Sequence, residues 1–529
     1  MSSYREQFLY PSQRMPVMAR NMVATSHPLA VQAGLSIMRQ GGNAVDAAIA
    51  TAITLTVVEP TSNGIGGDAF CILWDGEQLH GLNASGRSPA ALSADYFAGL
   101  SEMPQRGWDS VTVPGCVSAW VALSKRFGRL PFDKLFEAAI EYADNGFMVT
   151  PITANAWSAA AEIFSEFEDF APFLPGGNAP KSGQLFRFPD QARTLQKIAD
   201  TKGGAFYQGD LAEQMVSAAK CADAKLAATD LEAHQADWVD LISHEYNDFE
   251  LHEIPPNGQG LAALIMLGII QHHNIAQYEM DSADSLHCQI EAMKLAFADA
   301  FRYIADPAYM DINAVALLDC GYLESRAALI DMKKTGNPAY GLPPNSGTVY
   351  LAAADQSGMM VSMIQSNYQG FGSGIVIPET GISLQNRGAG FVLQNGHPNQ
   401  VCGGKRPFHT IIPAFLCANG KPFMSFGVMG GHMQAQGHAQ MVIRICDYGL
   451  NPQAASDAPR WRVSTDNQVH IEDGIGDKVR GELKNRGHNI VDNNADTRFS
   501  MGGAQLIVKT EAGYIGGSDH RKDGMAAGF

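Results

Sequence analysis

The sequence predicts a soluble protein of the α+β class. The chain has 529 residues, of which 46% are hydrophobic, and this is enough to fill a sizeable core. Helical spacing of apolar residues dominates the first part of the chain, whereas strand-like segments dominate from Thr348 onward. Between the two parts, residues 331–347 are rich in Pro, Gly and Asn, which predicts an exposed linker.

The first predicted elements are two helices and a glycine turn. Pro28 lies in the first turn of a helix that Ser26 can cap, and the glycines at 41 and 42 stop it. A second helix starts at Asn43 and ends before Pro60. Its many alanines and β-branched residues indicate burial between layers. The sequence NGIGGDAFCILWDG then predicts a glycine turn that leads into an apolar strand.

The middle of the chain is predicted to be helical and the end to be strand-rich. Residues 150–250 combine Ala, Glu, Asp and Phe at helical spacing, so we expect a peripheral helical lobe there. The apolar residues from Leu286 to Ile304 recur every three or four positions, which predicts an amphipathic helix that ends before Pro307. The predicted strands of the last part are TVYLAAAD, MMVSMIQS, TIIPAFL, GGAQLIVK and GYIGGSD.

Composition restricts the partners and the location. The chain has 37 basic and 54 acidic residues, and its net charge of −17 repels phosphate backbones and anionic lipid. The longest apolar stretch, LAALIMLGII, is too short to span a bilayer, and the N-terminus lacks a basic start followed by an apolar run. We therefore expect a cytoplasmic protein with no nucleic-acid or membrane partner. The eight cysteines are scattered singly, which predicts small buried thiols.

Two familiar motifs are present only in part, and familiar metal-binding motifs are absent from the sequence. GIGGDAF follows a helix and precedes a strand, which is the reverse of the order in a dinucleotide loop. The 15 histidines include no HExxH and no Cys/His set at ligand spacing, so we predict neither a metal nor a cofactor. SAAK at 217–220 and KTG at 334–336 are partly like penicillin-recognising serine enzymes, but KTG lies in the linker rather than on a strand.

The junction of linker and strand offers a more complete chemistry. Scission between Gly347 and Thr348 would place a hydroxyl nucleophile and a free α-amine on one residue. Because an α-amine has an ordinary pKa of about 7.7 to 8, it can take the hydroxyl proton near neutral pH. Gly347, without a Cβ, can adopt the strained backbone that lets the hydroxyl attack the preceding carbonyl. The simpler alternative is a threonine that merely opens a strand.

Six ordered blocks carry a resemblance to a known family. They are MVATSHPLAVQAGLSIMRQGGNAVDAAIATAITLTVVEPTSNGIGGDAF, SVTVPGCVSAW, LHCQIEAMKLAFADAFRYIADP, FGSGIVIPETGISLQNRGAGF, GKRPFHTIIPAF and GGSDHRKDGMAAGF. Over nearly the whole chain the sequence resembles the gamma-glutamyltranspeptidase family of N-terminal nucleophile hydrolases. The resemblance implies a four-layer αββα sandwich. It also implies a precursor that cuts itself into a large chain, 1–347, and a small chain, 348–529, which stay associated.

The resemblance also assigns the catalytic groups. The family's nucleophile corresponds to Thr348, and its supporting hydroxyl to Ser366. Its glycine pair, whose N–H groups form an oxyanion hole, corresponds to Gly430 and Gly431, and such donors are worth about 3 to 4 kcal/mol in hydrolases. The glycines also have a plain interpretation as a tight turn.

The substrate-binding half departs from the family pattern. The transpeptidases have TTHY at the nucleophile, where this chain has TVYL. The family's strand asparagine corresponds either to Asn367, one place out of register, or to Tyr368. The other differing positions are Ala94 for an arginine that grips a carboxylate, Gly390 for an aspartate that holds an ammonium, Arg387 for a glutamine, and His409 and Thr410 for two serines.

Other arginines can restore carboxylate binding. Arg87, Arg387 and Arg406 lie near these positions in the sequence, and a guanidinium suits a carboxylate. Each can equally be a structural ion-pair partner. Arginines without an ammonium-binding acid suit a dicarboxylic monoamide, such as a glutaryl amide, and this is similar to the cephalosporin acylase relatives of the family.

The sequence therefore predicts a self-processing N-terminal threonine amidohydrolase without cofactor or metal. We expect a small-molecule amide substrate, with hydrolysis favoured over transpeptidation, and a γ-glutamyl substrate remains an alternative within the class. The expected assembly is a heterodimer of the two cleaved chains, and the higher oligomeric state is left open. The competing interpretation is a non-catalytic or unprocessed homologue that acts as a binding protein.

Overall fold

The structure is a computed structural model that describes residues 13–338, 347–464, 467–493 and 500–529. The strands are β1 (Val17–Ala19), β2 (Met22–Thr25), β3 (Asp68–Trp74), β4 (Leu79–Asn83), β5 (Phe147–Met148), β6 (Leu185–Phe186), β7 (Asp237–Val239), β8 (Ile242–Tyr246), β9 (Phe249–Glu253), β10 (Gly347–Ala354), β11 (Met360–Tyr368), β12 (Val376–Ile377), β13 (Ile382–Ser383), β14 (Ala414–Ala418), β15 (Lys421–Val428), β16 (Trp461–Val463), β17 (Gln468–Glu472), β18 (Asn489–Asn493), β19 (Ala504–Lys509), β20 (Tyr514–Ser518) and β21 (Met525–Gly528).

The helices lie on both sides of the sheets that these strands form. They are α1 (Pro28–Arg39), α2 (Ala44–Val58), α3 (Cys116–Phe127), α4 (Glu137–Asn145), α5 (Pro151–Phe164), α6 (Pro189–Asp200), α7 (Gly204–Gln208), α8 (Asp210–Cys221), α9 (Ala228–Glu232), α10 (Gly260–Gln271), α11 (Ala283–Tyr303), α12 (Cys320–Ala327), α13 (Met433–Val442), α14 (Pro452–Asp457) and α15 (Asp477–Asn485). No helix among the described residues is both long and apolar enough to cross a membrane.

Two antiparallel sheets form the centre of the molecule. Within the described ranges each has seven strands: the first has the order β21-β2-β10-β11-β3-β4-β7, and the second β1-β20-β19-β15-β14-β9-β8. Strands from before and after residue 347 lie side by side in both sheets. The central pair of the first sheet is β10 and β11, so Thr348 begins a strand that has a neighbour on each side.

Alternating side chains of β10 separate two apolar layers. Tyr350 and Ala352 pack between the two sheets, whereas Leu351 and Ala353 pack against the helices outside the first sheet. Helices α10, α11 and α13 cover the outer face of the second sheet. The order is helices, sheet, sheet, helices, which confirms the predicted four-layer αββα sandwich.

The first two helices confirm the sequence pattern, with one difference at a cap. His27, not Ser26, caps α1, because its Nδ1 accepts a hydrogen bond from Leu29 N–H. The Ser26 hydroxyl instead donates to the buried Glu59. Asn43 caps α2 as predicted, and every residue of α2 is buried.

Other expectations differ from the structure. The predicted lobe, 150–250, is helical only as far as Glu232, after which β7, β8 and β9 extend the two central sheets. Helix α11 is not amphipathic, since Ser285–Ala300 are buried throughout between α10, α15 and β16. Of the cysteines, Cys221 and Cys320 are exposed. The described part of the predicted linker, 331–338, contains neither helix nor strand; 339–346 lie outside the described residues.

Candidate active site

Thr348 lies at a β-bulge where β10 begins. It faces two residues of β11, Ser366 and Asn367, because the residues on either side of it pair with positions 368 and 365. Tyr368, which follows the bulge, has φ of 80°, a left-handed conformation that is strained for a large side chain. Thr348 itself is fully buried in the intact chain. The bulge therefore brings the Ser366 side chain to Thr348, whereas the Asn367 side chain is bonded to Ser383.

Neutral hydrogen bonds hold the Thr348 hydroxyl. Its Oγ1 donates to Ser366 Oγ, 3.4 Å away. Ser366 Oγ also accepts a bond from Tyr368 N–H at 2.7 Å, which fixes it in place. From the other side, Gln434 Nε2 donates to Thr348 Oγ1 at 3.2 Å. Uncharged groups from two different elements, β11 and α13, thus orient Thr348 Oγ1.

The glycine pair lies between β15 and α13, in the same turn that positions Gln434. Gly430 has φ of 115° and Gly431 has φ of 61°, and a Cβ at Gly430 would lie 3.0 Å from Gly502 Cα, so a larger residue does not fit there. Gln259 Nε2 donates to Gly431 C=O at 2.8 Å. Within the described residues, neither glycine N–H donates a hydrogen bond. Both N–H groups are therefore without an acceptor in the described part of the chain.

The guanidinium of Arg387 is fully buried. One nitrogen, Nη1, donates to Thr410 Oγ1 at 2.7 Å, and Cζ lies 4.5 Å from the centre of the Tyr368 ring. Nε and Nη2 have no hydrogen-bond partner among the described residues. Burial lowers the pKa of Arg387 to about 10, although Asp68 acts to raise it. The free N–H groups match the two oxygens of a carboxylate.

Asp68 and His409 form a buried pair next to this arginine. His409 Nε2 lies 3.0 Å from Asp68 Oδ2. Since His409 Nδ1 accepts a bond from Ile411 N–H, the ring proton is on Nε2 and is donated to Asp68. Asp68 Oδ1 accepts bonds from Gly86 N–H and Gln385 Nε2. Burial raises the pKa of Asp68 to about 6 and holds the pKa of His409 well below its usual value.

Asp68 therefore joins the segments that carry the predicted substrate-binding residues. Gln385 is two residues from Arg387, and His409 precedes Thr410. Asp68 also pairs directly with Ser366 in the register of β3 and β11. Asp68 thus joins the two sides of the site, through its backbone on the hydroxyl side and its carboxyl on the arginine side.

The remaining predicted residues have structural partners. Arg87, whose side chain is 46% exposed, forms an ion pair with Asp306 at 2.8 Å. Arg406 N–H donates to the same carboxyl, and its guanidinium pairs with Asp237. Asn367 Nδ2 donates to Ser383 Oγ, while its Oδ1 has no partner within the described ranges. Arg87 and Arg406 meet at Asp306 rather than at Thr410.

The chain is similar to known proteins over nearly its whole length. A family model described as gamma-glutamyltranspeptidase matches residues 30–529. The chain belongs to the gamma-glutamyltranspeptidase family. It is 37% identical to the glutathione hydrolase-like YwrD proenzyme of Bacillus subtilis over 96% of this chain and 98% of that protein. It is 34% identical to the oxamate amidohydrolase proenzyme of Klebsiella pneumoniae, over 97% and 99%.

A solved structure is closer in sequence than either relative. The cephalosporin acylase from Bacillus halodurans is 43% identical, with a TM-score of 0.94, and the match covers 100% of this chain and 99% of that one. The relatives are named hydrolase, amidohydrolase and acylase proenzymes. This member of the gamma-glutamyltranspeptidase family is therefore an enzyme, an N-terminal nucleophile hydrolase.

Sequence reasoning missed two residues of this site, Asp68 and Gln434. A usable signal for Asp68 was an acid at the first position of an otherwise apolar strand, where an unpaired charge is costly. For Gln434 the signal was a polar residue in a helix that is buried throughout, three positions after the glycine pair. Neither signal identifies the partner, because both partners are distant in sequence.

A buried polar cluster lies elsewhere, between α11 and the residues before β18. His287, Glu291 and His488 each place one ligand-type atom within 4.8 Å of the others. Lys294 Nζ lies 2.8 Å from Glu291 Oε1, and His287 Nδ1 lies 2.7 Å from His488 Nε2. Lys294 already supplies the positive charge, and Glu291 also accepts bonds from Thr335 Oγ1 and Gly336 N–H. These bonds account for the cluster as a structural tie to residues 335 and 336.

Proposed function

We propose that this enzyme is a self-processing N-terminal threonine amidohydrolase that cleaves the amide of a small dicarboxylic acid. The observation that carries the proposal is the Thr348 hydroxyl at the start of β10, held by Ser366 and Gln434. Self-processing is supported by the relatives, which are named proenzymes.

In the proposed scission, Thr348 Oγ attacks the carbonyl carbon of Gly347, and the peptide C–N bond breaks to leave an ester and a free α-amine. Water then hydrolyses the ester, which releases a carboxylate at 347 and restores the hydroxyl. The strained φ of Tyr368 and the bulge opposite Thr348 support a distorted backbone at this junction.

The same hydroxyl then serves in turnover. The α-amine takes the Oγ proton, Oγ attacks the substrate amide, and the leaving amine receives that proton. The N–H groups of Gly430 and Gly431 stabilise the oxyanion. Water attacks the acyl ester, the acid leaves, and Thr348 is restored. Hydrolysis is proposed to be favoured over transpeptidation because, in the part of the chain that the structure describes, no group identified at the site orients an acceptor amine.

Arg387 is the group proposed to recognise the acyl part. Its Nε and Nη2 have no partners among the described residues, and Thr410 holds its third nitrogen. Asp68, the acid that lies next to Arg387, already accepts bonds from His409, Gln385 and Gly86, so both of its oxygens have donors and it offers an ammonium no unpaired oxygen. This favours an acyl group with a carboxylate and no α-ammonium. Oxamate, which one relative is named for, is itself a dicarboxylic monoamide.

The two cleaved chains, 1–347 and 348–529, are proposed to remain a heterodimer. Both central sheets contain strands from each side of Thr348, and β10 is hydrogen-bonded to β2. Separation would expose the apolar layers on both faces of β10. The cytoplasmic location stays a prediction.

The complete burial of Thr348 in the intact chain has a consequence for this proposal. Substrate can reach Oγ only after the chain around the junction has been cut and has moved, so the intact chain would be an inactive zymogen. The alternative, an unprocessed homologue that binds a ligand without cleaving it, would also have a buried threonine. A denaturing gel separates the two, because only the enzyme yields fragments that end and begin at 347 and 348.

A panel of γ-glutamyl, glutaryl and adipyl anilides tests the substrate class. We expect the glutaryl or adipyl compound to be hydrolysed fastest, and Arg387→Ala to remove this preference. Arg87→Ala is the matched arginine control and should leave the preference intact. Equal hydrolysis of all three by the wild type would refute the carboxylate argument.

A further inference from the structure

Gln434 is a fully buried side chain in the first turn of α13, and its amide makes one hydrogen bond at each end. Oε1 accepts a bond from Ile412 N–H at 3.0 Å. Nε2 donates to Thr348 Oγ1 at 3.2 Å. The side chain therefore bridges the backbone before β14 and the hydroxyl at the start of β10.

The Ile412 N–H determines which way the amide faces. If the amide were turned around, its NH₂ group would meet the Ile412 N–H, which is also a donor. Two buried N–H groups would then lose their acceptors, and the free-energy cost would be several-fold larger than the gain from a typical hydrogen bond. The NH₂ group therefore faces Thr348. Thr348 directs its own proton to Ser366 Oγ, and its oxygen accepts the bond from Gln434.

We infer that Gln434 is a catalytic residue that stabilises the charge on Thr348 Oγ whenever that oxygen loses its proton or leaves an acyl group. The inference rests on the proposed role of Thr348. During attack, the proton moves to the α-amine and electron density builds on Oγ. During deacylation, the α-amine takes a proton from the water that adds to the ester; the C–Oγ bond then breaks, and Oγ takes the electron pair and that proton from the resulting α-ammonium. A fixed N–H donor lowers the energy of both steps.

The same hydrogen bond applies to self-processing. When an ester forms between Thr348 Oγ and the carbonyl of Gly347, the hydrolysis that follows again returns the electron pair to Oγ. A donor at 434 would therefore speed the ester hydrolysis as well as substrate turnover. Gln434 complements the glycine pair, because the glycine N–H groups are proposed to bind the carbonyl oxygen, whereas Gln434 donates to the nucleophile.

Helix α13 contains a matched control, Gln436. It too is fully buried, but its Nε2 donates to the backbone of His432 and Val463, and its Oε1 accepts from Val463 N–H. These bonds tie α13 to β16. Gln436→Met removes more hydrogen bonds than Gln434→Met but leaves the Thr348 hydroxyl untouched.

The experiment compares Gln434→Met, Gln434→Glu and Gln436→Met in processing rate, kcat, KM and thermal midpoint. We expect Gln434→Met to slow processing and to lower kcat about 10- to 100-fold, with KM changed less than about threefold. Gln436→Met should lower the thermal midpoint at least as much, with kcat within about twofold of wild type. Equal kcat in wild type and Gln434→Met would overturn the inference.

The Gln434→Glu variant tests the donating end of the side chain separately from the accepting end. The new carboxyl can still accept from Ile412 N–H, but it can donate to Thr348 only when protonated. We expect its kcat, divided by that of wild type at each pH, to rise as the pH falls from 8 to 5. A ratio that is flat or that rises with pH would refute the donor role, even if Gln434→Met does not fold.

The proposed function can fail separately from this inference. If Thr348→Ala still processes itself or hydrolyses the anilides, the threonine mechanism is wrong, and the role of Gln434 falls with it. If Thr348→Ala is inactive while both Gln434 variants match wild type, only the inference about Gln434 is wrong.

Discussion

The hydroxyl side and the arginine side of the proposed active site are built on different physical principles. On the hydroxyl side, Thr348, Ser366 and Gln434 are neutral and hydrogen-bonded to one another. On the arginine side, Arg387 and Asp68 are buried groups that ionise, and two guanidinium N–H groups have no partner within the described part of the chain. The side chains of the hydroxyl side bond to one another without a ligand, whereas on the arginine side the described residues leave guanidinium donors without acceptors.

The difference has an energetic meaning. A neutral hydrogen bond contributes about 1 kcal/mol to stability, so the hydroxyl side can be kept in place at little cost. A buried charge without full compensation costs several kcal/mol, and a bound anion would recover part of that cost. In the proposed mechanism, the nucleophile is therefore held in place before substrate binds, whereas the unpaired N–H groups of Arg387 among the described residues are available to select the substrate.

The largest effect is expected on the hydroxyl side, at Thr348. Thr348→Ala should abolish processing and lower anilide hydrolysis by at least about 10⁴-fold, because both steps need Oγ. Thr348→Ser keeps the hydroxyl and the α-amine, so it should process itself and retain activity. Gel analysis and anilide assays measure both. Rapid processing of the alanine variant would mean that another residue cuts the chain.

Arg387→Met should lower kcat/KM for a glutaryl anilide about 100-fold or more, chiefly through KM, because a buried charged hydrogen bond is lost. Hydrolysis of an uncharged butyryl anilide should change less than about threefold. Arg87→Met is the control: its ion pair with Asp306 is half-exposed and is worth about 0 to 1 kcal/mol. A similar loss for both anilides would contradict a carboxylate-binding role.

Asp68→Asn should change how stability depends on pH. Burial raises the pKa of Asp68 to about 6 in the folded chain, so the folded state holds this proton more tightly than the unfolded state. The contribution to stability is full below the unfolded pKa of about 3.9 and is lost as pH rises through 6, by about 3 kcal/mol in total. The thermal midpoint of the variant relative to wild type should therefore rise between pH 4.5 and 7. A difference in thermal midpoint that does not change with pH would show that folding does not raise the pKa of Asp68.

Ser366→Ala should have the smallest effect. The Ser366 hydroxyl lies 3.4 Å from Thr348 Oγ1, which is long for a hydrogen bond between hydroxyls. Its loss should cost about 1 kcal/mol, or about fivefold in kcat, with KM unchanged. Ser366→Thr keeps a hydroxyl at this position and should therefore retain most of the wild-type rate. A loss above about 100-fold would place Ser366 among the groups that move the proton.

Local pattern predicted those parts of the fold that depend on local interactions. The cap at Asn43, the glycine stop after α1 and the alternation along β10 are all visible in short windows of sequence. The strands β7 to β9 were missed because they are short, carry polar residues and are only partly buried. The burial of α11 on all sides depends on elements far along the chain, so its spacing alone could not show it.

The site was predictable where family motifs mark it and not where long-range pairing builds it. Thr348 was indicated both by the junction of linker and strand and by the resemblance, whereas the glycine pair came from the resemblance. The bond between Asp68 and His409 joins residues 341 positions apart, and that between Gln434 and Thr348 joins residues 86 apart. Arg87 and Arg387 looked equivalent in sequence. The structure distinguishes them: Arg87 has a carboxylate partner, whereas Arg387 is buried with two nitrogens that have no partner among the described residues.

Mass spectrometry of the denatured enzyme during hydrolysis of a slow glutaryl anilide tests the central claim most directly. The account predicts two fragments, 1–347 and 348–529, with a glutaryl mass added only to the fragment that begins at Thr348. An uncut chain that hydrolyses the anilide, or an acyl group found on the large fragment, would contradict it.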